Sequence, residues 1–158
     1  MKKLSLIFLL FATPFLANAQ SRSFDHQAMQ MLKTFYIDYN TLWSTAKGYN
    51  LVKKLDSMQR KYCTITARRE LKKLSGGEGI DHDYLINDQG TDIAHAKKLT
   101  VAKDTTKPNA YIVSYIAPTR DPAYKPIDLK VVIRVMVAEE NGVFKIAYTY
   151  GNQSSMRD

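Results

Sequence analysis

Apolar residues recur at Ala28, Met31, Leu32, Phe35, Tyr39, Leu42 and Trp43, at offsets of three, four and seven. That spacing describes one face of an amphipathic helix over Phe24 to Trp43, with Lys47-Gly48 as its stop. Leu51, Leu55, Met58 and Tyr62 share one face of a second helix beginning near Asn50, a residue suited to capping. Thr64 is placed to cap a third helix that runs to about Leu74, carries Ile65, Leu71 and Leu74, and ends at Ser75-Gly76-Gly77-Glu78-Gly79. Beyond that break the period changes from about 3.6 to two. Leu99 to Lys103 and Ala110 to Ala117 read as strands, and Leu129, Val131, Ile133, Val135 and Val137 alternate along a longer one. Glu140-Asn141-Gly142 reads as a hairpin turn, because Asn and Gly tolerate positive φ. Phe144, Ile146, Tyr148 and Tyr150 alternate on the returning strand, and Pro118 to Pro126 reads as an exposed, proline-rich linker.

Helices followed by an antiparallel meander define an α+β domain with its helices on one face of a sheet. A long strand bent around a long helix makes a cone with an open end, which is a natural pocket. Val132, Met136 and Ala147 fall on the outward phase of the sheet and motivate a homodimer through that face.

The first nineteen residues have a separate logic. Met1-Lys2-Lys3 is positive, Leu4 to Leu16 is almost wholly apolar, and Ala17-Asn18-Ala19 offers the small residues at which a signal peptidase cuts. The apolar run is shorter than the roughly 20 residues that span a bilayer. Residues 1–19 are therefore expected to be a cleaved signal peptide, and residues 20–158 a single domain with its core over 24–150 and a short C-terminal tail. The expected compartment is periplasmic or secreted, with no membrane span after cleavage and, lacking a cysteine at the cleavage site, no lipid anchor. Cleavage after Ala19 removes Lys2 and Lys3 from the 23 basic residues, leaving 21 against 15 acidic, a balance of +6. That charge favours acidic partners such as anionic glycans, lipid headgroups or an acidic protein. No motif supports nucleic acid. Cys63 is the sole cysteine, so the fold stands without an intrachain disulfide, and its expected place is the core.

The chain resembles the NTF2-like superfamily, and within it an uncharacterised family of small exported bacterial domains. The likeness rests on Phe35-Tyr36-Ile37-Asp38-Tyr39, Lys61-Tyr62-Cys63-Thr64 and Asp83-Tyr84-Leu85-Ile86-Asn87-Asp88-Gln89. Members more often close the last motif with Gln-Asp, whereas here Gln89 is followed by Gly90 and the aspartate stands at Asp92. The resemblance implies an NTF2-like or cystatin-like cone, with N-terminal helices on a curved antiparallel sheet of about four strands. It implies no activity, because such cones serve enzymes, binders and scaffolds alike.

The densest polar cluster is Asp81, His82, Asp83, Asn87, Asp88, Asp92 and His95. Its spacing does not match an EF-hand, and with only three histidines and one cysteine in the chain it lacks a zinc set. No metal, cofactor or catalytic residue is assigned. The candidate ligand-binding residues are Trp43, Tyr36, Tyr39, Tyr111, Tyr115, Asp83, Asp88 and Asp92, with the aromatics offered as contacts at a cavity mouth and weighed against a plain core role. The expected function is a non-catalytic binding module using the open end of the cone for a small ligand or cell-envelope component. The alternatives are an immunity- or inhibitor-type factor binding a protein partner through the sheet face, and an acid–base enzyme of the isomerase or dehydratase type.

Overall fold

The computed structural model describes residues 5–75, 83–87, 91 and 98–156, and side chains within those stretches from 23 to 149. Three helices, α1 (Ser5–Thr45), α2 (Gly48–Tyr62) and α3 (Ile65–Ser75), precede four strands, β1 (Thr100–Lys103), β2 (Ala110–Arg120), β3 (Pro126–Glu140) and β4 (Val143–Met156). The strands pair antiparallel in chain order, β1-β2-β3-β4, as an open sheet. Among the described residues no helix is long and apolar enough to cross a membrane.

The core forms where the two periodicities meet. Ala28, Leu32, Phe35, Tyr36 and Tyr39 are buried on α1, while Tyr111, Val113, Tyr115, Ala117, Val131, Ile133, Val135, Val137 and Ile146 are buried along the sheet. Burying each aliphatic side chain of this size contributes about 1.5–3 kcal/mol, and the strict alternation along β2 and β3 pins their register.

Thr64 does cap α3: its Oγ1 accepts from the Ala67 N–H at 3.1 Å. The Thr64 N–H itself donates to the Ile146 carbonyl at 2.9 Å, which stitches the α2–α3 junction to β4. Asn50, by contrast, lies inside the first turn of α2, whose N-cap is Lys47 with no side-chain bond. Gly48, at φ +54°, makes the sharp corner that α2 starts from.

The sheet departs from its sequence pattern at the linker and along β4. The segment read as a linker is shorter, because Pro118 pairs with Asp128 and Arg120 with Pro126, so the loop is only residues 121–125. Both prolines lie where the sheet permits them: β1 pairs with β2 only as far as Ser114, and β4 pairs with β3 only from Leu129 onward. Among the described strand pairs, neither proline is therefore asked for a missing N–H on a second side. Asp121 closes this loop by accepting from the Ala123 and Lys125 N–H groups. The other departure is a bulge between Met136 and Val137, where the partners jump from Tyr148 to Ile146. The extra residue, Ala147, reverses the phase of β4. Ile146 is buried while Tyr148 is turned out and 54% exposed, so the two do not share a face as the alternation predicts. The hairpin itself is as expected, with Asn141 and Gly142 both at positive φ.

Candidate functional site

The short stretch 83–87 is laid against α1 and β2 by two tyrosine hydroxyls. Tyr39 donates to Asp83 Oδ2 at 2.8 Å and accepts from Gln59 Nε2 at 3.1 Å, while Tyr115 donates to the Ile86 carbonyl at 2.9 Å. Asp83 Oδ1 accepts from the Leu85 N–H at 2.8 Å, a turn of the kind aspartate favours. Leu85 and Ile86 are thereby fully buried. Burial, reinforced by the Asp83 charge, holds the Tyr39 hydroxyl well above the usual tyrosine range, so it remains a neutral donor.

Beside this clamp runs a stripe with different chemistry. Tyr36, Asn40 and Trp43 are spaced four and three apart on α1 and so share one side of it. Tyr36 and Asn40 are fully buried, yet Tyr36 Oη, Asn40 Oδ1, Asn40 Nδ2 and Trp43 Nε1 are all sealed from solvent without a hydrogen-bond partner. Buried polar atoms are nearly always paired, and leaving one unpaired costs about 1–3 kcal/mol. Burial first, then the neighbouring Cys63, Tyr115 and Asp83 groups, hold the Tyr36 hydroxyl well above its ordinary value. Tyr36 thus stands where α1, β2, the α2–α3 junction and the 83–87 stretch converge.

Cys63 is buried at the same convergence. Burial pushes its thiol up to about 12; the Asp83 charge adds to that, and Arg68 and Lys145 oppose it. A thiol so placed is neutral at ordinary pH and is no nucleophile. Cys63 is expected to resist Ellman's reagent at pH 8 in the folded protein and to react at once in denaturant. Because the folded thiol binds its proton more tightly, its contribution to stability is complete below the unfolded value of about 8.5 and is lost as pH rises toward 12. Fast labelling of the native protein would show that the site is open instead.

A second polar anchor lies at the other end of the helical face. Tyr111 donates to Asp25 Oδ1 at 2.8 Å, and Lys103 Nζ bonds Asp25 Oδ2. Burial raises the Asp25 carboxyl, but the bonds from Lys103 and Tyr111 together with the Lys103 charge outweigh it, leaving the group below its usual value. Burial, then the bond and charge of Asp25, raise Tyr111.

Four of the candidate aromatics, Tyr36, Tyr39, Tyr111 and Tyr115, are therefore core residues and not the rim of an open mouth. Three have their hydroxyls committed within the fold, and Tyr36 alone of the four leaves its hydroxyl unpaired. Trp43 is half-buried against the core. Asp83 is brought to Tyr39, whereas Asp88 and Asp92, with Asp81, His82 and His95, lie outside the described residues. Among the described residues no three His, Cys, Asp or Glu side chains gather as a metal site. Asn40 and Gln59 are participants that the sequence pattern does not single out. The available signal for Asn40 is an amide four residues after Tyr36 and three before Trp43, on the apolar side of a helix.

Two surface grooves flank the helices. One of about 330 Å³ is bounded by Gln27, Gln30, Met31, Thr34, Tyr62 and Phe144. The other, of about 590 Å³, lies along α2 and α3 and includes Val52, Ile65, Arg68, Arg69 and Lys72.

Taken together, these elements define an α+β protein, three helices packed on a four-stranded antiparallel open sheet. The chain is similar in structure to a crystallised protein of unknown function from Bacteroides thetaiotaomicron VPI-5482, with a TM-score of 0.68 and 22% identity over 87% of this chain and 99% of that one. At that identity the likeness establishes the fold alone. No family model matches the chain, and no curated protein matches it.

Proposed function

We propose that the chain is an exported, non-catalytic binding module with an NTF2-like cone, holding a small polar ligand against the Tyr36–Asn40–Trp43 side of α1. The observation that carries this reading is the set of four buried polar atoms on that stripe with no partner. They provide two donors for certain, Trp43 Nε1 and Asn40 Nδ2, an acceptor at Asn40 Oδ1, and a hydroxyl at Tyr36 that can do either. A ligand carrying both acceptors and donors, such as a sugar or an amide, would satisfy all four. Because the atoms are sealed in this structure, binding needs a local opening, which costs less than global unfolding. The acid–base alternative has less support: Asp83 is already spent on Tyr39 and the Leu85 N–H.

A second reading, an interaction factor working through the sheet, draws on the outer face. Ile112, Val132 and Met136 lie half-buried there beside the exposed Tyr148.

The test is native mass spectrometry of the mature protein recovered from its own compartment, paired with Asn40→Leu. Leucine keeps the branching and the side-chain heavy-atom count of asparagine, though it is bulkier, and brings no polar atoms to a site that satisfies none. The ligand-free variant is therefore expected to be more stable by about 1–3 kcal/mol, melting several degrees higher, because it no longer buries an unpaired amide. The natural protein should retain a small-molecule mass that the variant loses. A bare mass for the natural protein, with an Asn40→Leu variant less stable than it, would overturn the reading.

A further inference from the structure

The groove along α2 and α3 combines two features that a merely solvated face does not need. Val52, Asp56 and Arg60 recur at offsets of four along α2, and Ile65, Arg68, Arg69 and Lys72 at offsets of three, four and seven along α3, so each set forms one side of its helix. The two sides face a common groove. Val52 is 65% exposed and Ile65 61% exposed, a pair of uncovered aliphatic side chains facing the groove from the two helices. Around them stand four cations and one carboxylate. Arg60 is held by Asp56 at 2.7 Å, which leaves Arg68, Arg69 and Lys72 without an acidic partner among the described residues. Arg68 adds a further sign: its Nε is sealed from solvent and bonds nothing. The one carboxylate of α3, Glu70, is taken by Lys73 at 2.7 Å.

We infer that this groove docks an acidic, amphipathic segment of a partner protein, separate from the ligand stripe on α1. The charge balance selects a negatively charged occupant. Arginine forks bind carboxylates through paired hydrogen bonds, and two of the three unengaged cations are arginines. The exposed aliphatics select a chain that also brings apolar side chains, since an inorganic anion would leave Val52 and Ile65 wet. A groove of about 590 Å³ between two helices holds a few side chains of a segment laid along it. The partner's apolar residues sit on Val52 and Ile65, and its carboxylates meet Arg68, Arg69 and Lys72.

The experiment uses a phage-displayed library of random 12-residue peptides selected on the mature protein. Enriched sequences are expected to combine two or more Asp or Glu with an aliphatic or aromatic residue, to bind less tightly as salt rises, and to shift amide resonances of α2 and α3. Ile65→Asp and the paired Arg68→Glu, Arg69→Glu change should each weaken them about tenfold or more. Arg68 is half-buried, so the paired Arg69→Glu, Lys72→Glu change, on two exposed positions, provides the same test if the first pair unfolds the protein. Enrichment with no excess of acidic residues, or peptides that bind the charge-reversed proteins equally well, would overturn the inference. So would vesicles of phosphatidylglycerol that bind through these residues and are not displaced by the selected peptides, which would make the face a membrane contact.

Discussion

Phe35→Ala should be among the most damaging single changes in the chain, lowering stability by about 3–5 kcal/mol. The ring is fully buried and packs against three others, with centroids 5.0 Å from Tyr36, 4.9 Å from Tyr39 and 5.4 Å from Tyr62. Tyr36 and Tyr39 belong to the same helix, while Tyr62 closes α2, so Phe35 joins α1 to α2 as well as filling space. Truncation leaves a void next to Tyr39, which is tied to Asp83 and Gln59 and cannot collapse inward without breaking those bonds. The cavity should therefore remain open, at the costly end of the range for such changes. Against a typical total of about 5–15 kcal/mol, that is a large share. Urea unfolding of the protein provides the measurement. Phe35→Leu should recover more than half of the loss, because it keeps most of the volume. A Phe35→Ala loss below about 1 kcal/mol would mean that the aromatic cluster repacks freely, and the rigid scaffold assumed for the ligand stripe would go with it.

The parts of the fold that could be read from the residues are those where burial follows one period. The face of α1 containing Leu32, Phe35 and Tyr39 is legible because a helix against a sheet buries one stripe. Val131 to Val137 is legible because a half-buried strand alternates, Thr64 because an N-cap needs a local oxygen, and Asn141-Gly142 because the turn needs positive φ. The misreadings arise where a distant element overrides a local preference. Pro118 and Pro126 signal a loop in isolation, yet each is tolerated in a strand at a position with a single partner among the described strand pairs. Ala147 has nothing in its own chemistry to announce a bulge, and the bulge alone decides that Tyr148 faces solvent. The site divides along the same line. That Tyr36, Tyr39, Tyr111 and Tyr115 belong together can be read from helix and strand spacing, but whether a tyrosine lines a cavity or fills the core depends on what its hydroxyl meets. Tyr39 meets Asp83, Tyr111 meets Asp25, Tyr115 meets a backbone carbonyl and Tyr36 meets nothing. Those partners are 44, 86 and 29 residues away in the chain, beyond the reach of any local pattern.

Asp83→Ala is expected to be nearly as costly as the loss of Phe35, through polar chemistry instead of volume. The carboxylate accepts from the Tyr39 hydroxyl on one oxygen and the Leu85 N–H on the other. Removing it orphans two donors at a part-buried site, and each group left without a partner costs about 1–3 kcal/mol. The consequence should also be local. Leu85 and Ile86 are fully buried in the 83–87 stretch, and without the Asp83 side chain the Tyr115 bond to the Ile86 carbonyl still holds that stretch to β2 while its link to Tyr39 is lost. Hydrogen exchange at Leu85 and Ile86 should accelerate far more than at Ile133 and Val135 on the sheet, which depend on none of these bonds. Asp83→Asn separates charge from connectivity. The amide oxygen still accepts from the Leu85 N–H, and its NH₂ can donate to the Tyr39 oxygen, so the loss should be smaller than for alanine. Tyr39→Phe removes the other end of the same bond but also leaves Gln59 Nε2 without its acceptor, so it should cost less than Asp83→Ala only if Gln59 turns to water. In the double variant Tyr39→Phe, Asp83→Ala the two losses should fall short of additive, the sign of a direct interaction. Strict additivity would mean that the Tyr39–Asp83 bond contributes nothing, and that the 83–87 stretch is held by packing and by the Tyr115 bond to the Ile86 carbonyl.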